Sequence, residues 1–242
     1  MKWKTSISQH KDGKLYIYGK ELTELIANAS FSEVIFLLLK GTMPIEKEVQ
    51  MLDVCLVAMA EHGLQAPSTF VARSSISVGN PFNAALAAGI LATGDWHGGA
   101  IEKCAMYLQS GKDAKAIIEE VSLKGERMSG FGHKQYKDED PRAKAIFTKA
   151  RNLEINGNYL KLIEEVGKEL EKKTGKKLPI NIDGAVATVI SELGIDWRYG
   201  KALFVLGRMP GLMAHIREEM INEKPYRRLD EEDVEYVGKE NS

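Results

Sequence analysis

After Gly19 no stretch of this chain alternates apolar and polar residues with the two-residue period of a strand. Apolar residues recur three and four positions apart instead, a spacing that confines most of the chain to helices packed on one another. Leu22, Leu25 and Ile26 open the pattern. Ser30-Phe31-Ser32-Glu33 then heads the apolar run Val34–Leu39, closed by Gly41. Pro44, Pro67, Pro81 and Pro141 each stand just ahead of a helix-like segment, where a missing amide hydrogen costs little because first-turn amides have no helical partner. Further helices are expected at 45–61, 68–78, 82–93, 98–110, 113–123, 143–153, 158–173, 184–193 and 197–221. Only the start differs. Trp3–Ser8 and Leu15–Tyr18 flank Lys11-Asp12-Gly13-Lys14, and Asp-Gly predicts a hairpin turn. The expected fold is mostly α, in two lobes: a large one of residues 1–93 and 181–242 and a small one of 94–180.

A chain of 242 residues buries enough surface for a core without staples. Lys and Arg number 33 against 34 Asp and Glu, so the basic excess of a nucleic-acid binder is missing. Cys55 and Cys104 are the two cysteines, too few for a disulfide framework or a cysteine zinc site. The apolar stretch Ala84–Ala92 is too short to span a membrane, and the N-terminus has no apolar core of a secretory signal. A soluble protein of the reduced cytosol is expected, with neither nucleic acid nor membrane as partner. Lys168–Lys177 reads as a solvated helix end and loop, and the polar tail after Tyr226 as a segment lying across a surface or a partner.

Five histidines occur, at 10, 62, 97, 133 and 215, and no pair has the spacing of a zinc-binding helix. His97 lies in Gly94-Asp95-Trp96-His97-Gly98-Gly99 at the expected start of a helix. Its glycines let a ligand approach, and the positive helix end favours a neutral imidazole that donates one hydrogen bond to a developing enolate; a packed histidine in a turn fits equally. His133 lies in Ser129-Gly130-Phe131-Gly132-His133-Lys134-Gln135-Tyr136-Lys137, a tight loop whose backbone can reach a ligand. Lys134 and Lys137 would meet ligand phosphates or simply face water. Arg142 opposes the dipole of the helix it opens, so an anion should compensate: a salt bridge to Asp138 or Glu139, or a bound carboxylate. Asp183, amid Ile180, Ile182 and Val186, is either a desolvated acid equipped for proton transfer or a helix N-cap, the simpler reading of the spacing. Arg208 falls in an apolar helix interrupted by Gly207 and Pro210, where a guanidinium is costly unless it meets an anion. His215, nearly on the same face, reads as its structural support.

Six segments, in order from about Tyr18 to the end, resemble the citrate synthase family: YGKELTELIANASFSEVIFLLLKGTMP, EHGLQAPSTFVARSSISVGNPFNAALAAGI, GDWHGGAIE, MSGFGHKQYKDEDPRA, INIDGAVATVISELGI and ALFVLGRMPGLMAHIRE. One departure narrows the match. Between Pro44 and His62 there is room for little more than one helix, where the synthases carry a larger helical insertion. This compact form resembles the citryl-CoA lyase branch and the lyase module at the C-terminal end of ATP-citrate lyase.

The resemblance implies a helical fold of a large and a small domain and an active unit that is a homodimer or higher. It carries the catalytic roles to His97, His133 and Asp183, and carboxylate binding to His62, Arg142 and Arg208, with Arg227 or Arg228 supplied by a partner subunit. It places CoA at Phe131, Gly132, Lys134 and Lys137. The implied reaction is cleavage of (3S)-citryl-CoA to acetyl-CoA and oxaloacetate, as in citrate cleavage in the reductive tricarboxylic acid cycle. CoA is part of the substrate, and no metal or other cofactor is implied. His133 would take the proton of the tertiary hydroxyl, His97 would hold the thioester oxygen, and Asp183 would protonate the enolate carbon. Three other readings accompany it: a citrate or 2-methylcitrate synthase using the same residues in reverse, a lyase acting on another citryl-type thioester with a different acyl group, and a non-catalytic CoA-binding subunit of a citrate-cleaving complex. A citryl-CoA synthetase is a further possible partner.

Overall fold

The computed structural model describes residues 2–239. Strands β1 (Ser8–Lys11), β2 (Lys14–Ile17) and β3 (Lys20–Glu21) form one antiparallel sheet in that order. Asp12 and Gly13 both take positive φ, 49° and 74°, the pair that a two-residue hairpin turn requires. That turn sets Lys11 opposite Lys14 and Ser8 opposite Ile17. The first strand is therefore Ser8–Lys11 rather than Trp3–Ser8, because residues before Ser8 have passed the end of β2.

Eleven helices follow among the described residues: α1 (Leu22–Asn28), α2 (Phe31–Lys40), α3 (Glu46–Met59), α4 (Pro67–Ser77), α5 (Phe82–Leu91), α6 (Ala100–Leu108), α7 (Ala114–Leu123), α8 (Pro141–Asn152), α9 (Asn158–Thr174), α10 (Ile182–Glu192) and α11 (Gly200–Asn222). The fold is mostly α, as the apolar spacing predicts. Ser30 and Glu33 close a capping box at the head of α2, and Pro67 and Pro141 open α4 and α8. Between Pro44 and His62 the single helix is α3. The helix expected over 197–221 is α11, which runs unbroken through Pro210. The proline removes one hydrogen bond, to the Leu206 carbonyl. Buried packing on both sides of it, Leu203 and Phe204 before and Leu212 and Ile216 after, holds the helix together.

Contacts separate two units. One takes the chain up to Ala60 and Gly94–Arg208; the other takes Glu61–Thr93 and the chain from Met209 onward. Helix α10 packs against α6, α8 and α9 and lies with them in the first unit.

In the first unit α10 is the central helix, with every residue from Gly184 to Ser191 buried. A helix apolar on all sides belongs in the middle of a core, and α3, α6, α8 and α9 surround it. Met51, Cys55, Ile101, Cys104, Ile163 and Ile190 fill the space between. Helix α9 turns Leu160, Ile163, Val166 and Leu170 inward, and Lys172 and Lys173 sit in its last turn, where cations oppose the negative helix end.

In the second unit α4 packs closely on α5, with Ala72, Ile76, Ala85, Leu212 and Ile216 as a small core. Buried Arg73 pairs with buried Glu219 at 2.6 Å. The tail is rooted here, as the Tyr226 amide donates to the Ser77 carbonyl at 2.7 Å. Beyond it, among the described residues, only a short turn, Glu231–Asp233, is regular, and residues 228–239 are exposed. Among the described residues no helix is long and apolar enough to cross a membrane.

Candidate active site

The site is built where two loops of the first unit are laced together. The Gly132 amide donates to the Pro179 carbonyl at 2.8 Å, and the Asn181 amide donates to Gly130 at 2.9 Å. The Asn181 side-chain amide donates to Gly132 at 2.9 Å, and Phe131 faces Ile180 in an antiparallel bridge. Gly130 is required at this seam. Its φ is 89°, and a Cβ there would lie 2.8 Å from both Cys104 Sγ and Gly184 Cα. The seam ties the loop that carries His133 to the turn that carries Asp183.

Asn181 is the cap of α10, its Oδ1 accepting from the Gly184 amide at 3.1 Å. The capping reading of Asp183 is thereby corrected, since the last non-helical residue lies two positions earlier and leaves Asp183 in the first helical turn. Its carboxyl is partly buried. Desolvation pushes its pKa above the usual carboxylate range and the negative charge of Asp140 adds to this, while Arg142 and Arg208 pull the other way.

Asp140 is the residue that the sequence did not single out. Its side chain is fully buried at the head of α8 and accepts from four donors. These are the Arg142 amide and Nε, both at 3.0 Å, Arg142 Nη2 at 2.8 Å, and the amide of Ile182 at 3.2 Å. The anion that compensates Arg142 is thus Asp140, and neither Asp138 nor Glu139; Glu139 pairs with Lys144 at 2.7 Å. Burial alone would raise the Asp140 pKa, but the Arg142 hydrogen bonds and charge hold it below its usual value. The Asp-Pro pair at a helix start was its one sequence cue.

His133 accepts at Nδ1 from the amides of Gln135 and Tyr136, at 3.1 and 3.2 Å, and its Nε2 lies 3.0 Å from Arg142 Nη2. Its ring stacks on Tyr136, with centroids 4.6 Å apart. A neutral imidazole has one lone pair and cannot accept on both sides. The two amides are fixed by the chain and the guanidinium by Asp140, so an oxygen seated beside Nε2 and Nη2 would be met by both groups.

His97 lies in a turn closed by reciprocal backbone bonds with Gly94, and α6 begins three residues later at Ala100. Its ring meets the Phe204 ring edge-on at 5.4 Å, and the fully buried Arg208 guanidinium lies 5.2 Å from the same ring. A Cβ on Gly98 would run into Phe204, so glycine is needed for this packing. Two turns along α11, His215 Nε2 meets Glu61 at 3.1 Å and its Nδ1 lies 3.5 Å from Arg73.

Among the CoA-site residues expected from the resemblance, Phe131 is half-buried and walls the core, since a Cβ on Gly167 would lie 3.2 Å from its ring. Lys134 and Lys137 are exposed. Gly132, His133 and Lys134 line a cavity of about 730 Å³ together with Arg127, Lys173 and Lys176, three cations that the sequence reading missed. His62, Arg227 and Arg228 belong to the second unit. There Arg227 holds Glu219 through Nε and Nη2, at 2.8 and 2.9 Å, while Arg228 is exposed. Among the described residues no cluster of three or more His, Cys, Asp or Glu could hold a metal ion.

The first unit thus combines a carboxyl biased toward its protonated form, two guanidinium groups and two imidazoles. That set suits a carboxylate-bearing substrate and proton transfer at carbon. The family description "Citrate synthase, C-terminal domain" matches residues 44–229. The chain belongs to the citrate synthase family. It is 32% identical to citrate synthase 2 of Bacillus subtilis over 85% of this chain and 56% of that protein. The chain spans about half the length of the curated relatives it matches. Among solved structures it is similar to citryl-CoA lyase from Hydrogenobacter thermophilus, with 45% identity, a TM-score of 0.93 and coverage of 99% of this chain and 96% of that one. It is also similar to ATP citrate lyase from Methanothrix soehngenii in complex with citrate and coenzyme A, with 25% identity, a TM-score of 0.82 and coverage of 99% of this chain but 42% of that one.

Proposed function

We propose that this protein is a citryl-CoA lyase, cleaving (3S)-citryl-CoA to acetyl-CoA and oxaloacetate. The observation that carries the reading is the end-to-end match to the Hydrogenobacter lyase at 45% identity and a TM-score of 0.93, against matches to curated synthases that cover about half their length. The reaction breaks a carbon–carbon bond, leaving a ketone on one side and a thioester enolate on the other. Asp183, biased toward the protonated form, delivers its proton to the enolate carbon. His97 donates a hydrogen bond to the thioester oxygen as charge gathers there. The tertiary hydroxyl sits beside His133 Nε2 and Arg142 Nη2. His133 takes its proton at Nε2 as the carbon–carbon bond breaks, the ring hydrogen then lying on Nδ1 and turned off the Gln135 and Tyr136 amides. The Arg142 charge steadies the oxygen until the ketone forms.

The test offers purified protein citryl-CoA and, separately, acetyl-CoA with oxaloacetate, following oxaloacetate and free CoA thiol. Fast oxaloacetate release from the first, with little thiol from the second, is expected. Thiol released mainly from the second mixture would make the protein a compact synthase and overturn the lyase reading.

Arg208 lies within electrostatic reach of Asp183 and is held in a fixed place over Phe204. In this reading it grips a carboxylate of the oxaloacetate half. Arg208→Ala is expected to raise the inhibition constant for oxaloacetate by about tenfold to a hundredfold, the worth of a charge-assisted hydrogen bond. An unchanged constant would remove Arg208 from the binding site.

A further inference from the structure

We propose that Asp140 is the positioning residue of this site: one buried carboxylate that holds Arg142 against His133 and, through the Ile182 amide, fixes the helical turn that carries Asp183. Three observations carry the assignment. The carboxylate is fully buried and is shared between two helix starts forty-two residues apart in the chain. It accepts from both Nε and Nη2 of Arg142, which removes the freedom of that guanidinium and leaves Nη2 directed at His133 Nε2 at 3.0 Å. The same oxygen that takes Nη2 also takes the Ile182 amide, one residue before Asp183. A cap alone needs only the Arg142 amide.

The charged and titratable groups facing Asp183 are Asp140 and Arg142 at the start of α8, Arg208 on α11 and the Cys104 thiol on α6. Within that set Asp140 has a second effect: its negative charge favours the protonated form of Asp183 and offsets part of the two arginines. Removing the charge, and freeing Arg142 to turn toward Asp183, both act in the direction of ionising Asp183.

The decisive variant is Asp140→Asn. Asparagine caps a helix about as well as aspartate, so a residue that only capped α8 would tolerate it. If Asp140 positions Arg142 and Asp183, the basic limb of the kcat–pH profile for citryl-CoA cleavage moves to lower pH by about one unit or more. At a pH above that limb, kcat falls at least about tenfold. This arm rests on the cleavage reading. A second arm does not: a carbon-13 NMR titration of the Asp183 carboxyl, without substrate, is expected to move the same way. A limb and a carboxyl titration both unmoved in Asp140→Asn would overturn the proposal. A moved titration in a protein that does not turn over citryl-CoA would uphold Asp140 and overturn the proposed reaction instead. If the variant does not fold, the wild type decides. The Arg142 Nε hydrogen must then exchange with water at least about tenfold more slowly than that of an exposed arginine such as Arg198, and equal exchange overturns the assignment.

Discussion

Asp183→Asn is expected to lower citryl-CoA turnover by about a thousandfold while leaving the fold intact. Asparagine matches the carboxyl in size, so the packing around α10 is kept. It removes the carboxyl whose pKa desolvation raises, the group placed to carry the transferable proton. Substrate binding should change little, because the arginines that meet the carboxylates remain. The variant also has a stability signature. A group whose folded-state pKa is raised stabilises the fold fully below its unfolded pKa and loses that contribution as pH rises through the folded value. Desolvation raises Asp183 in this way. This one contribution is lost from the wild type as pH rises above the ordinary carboxylate range, and Asp183→Asn never has it. Thermal unfolding at several pH values should find the difference between the two shrinking or reversing as pH rises. A variant that keeps near-normal turnover would remove Asp183 from the chemistry, whatever its stability.

Local rules made much of this legible. Apolar spacing gives the helices, prolines and caps give their starts, and Asp12-Gly13 gives the one hairpin. The motifs around His97, His133, Arg142, Asp183 and Arg208 pointed to residues that all fall in one unit. What stayed hidden depends on partners distant in the chain. Nothing local tells which of Asp138, Glu139 and Asp140 turns inward, and that choice is made by the Ile182 amide across forty-two residues. Asp183 looks like a cap until Asn181 is seen to hold the Gly184 amide. Helix α11 stays whole through Pro210 because buried packing on both sides outweighs the one lost hydrogen bond. The place of α10 in the core follows from the neighbours that surround it and from no single residue of its own.

The seam between the His133 loop and the Asp183 turn gives the second large effect. Gly184 lies inside α10, where exchanging glycine for alanine normally stabilises a helix by about 1 kcal/mol. Here the sign is expected to reverse. A Cβ at this position would run into the Gly130 carbonyl oxygen and lie 3.0 Å from both Gly130 Cα and Ile180 Cγ2. Two of these three atoms are backbone, held by the Asn181 and Gly132 hydrogen bonds, so no side chain can swing aside to relieve the overlap. Gly184→Ala should cost about 2–4 kcal/mol, or roughly 5–15 °C in Tm for a chain of this size. Turnover should fall with it even where the protein is still folded, since the same atoms set His133 and Asp183 in register. Gly175→Ala separates clash from strain. Gly175 has φ of 68° with nothing within 4 Å of the added Cβ, so the left-handed conformation alone is penalised, by about 1–2 kcal/mol. Its turnover should be unchanged. If Gly184→Ala proves as stable and active as the wild type, the two loops can part without consequence, and the coupling of His133 to Asp183 must come from Asp140 and Arg142 alone.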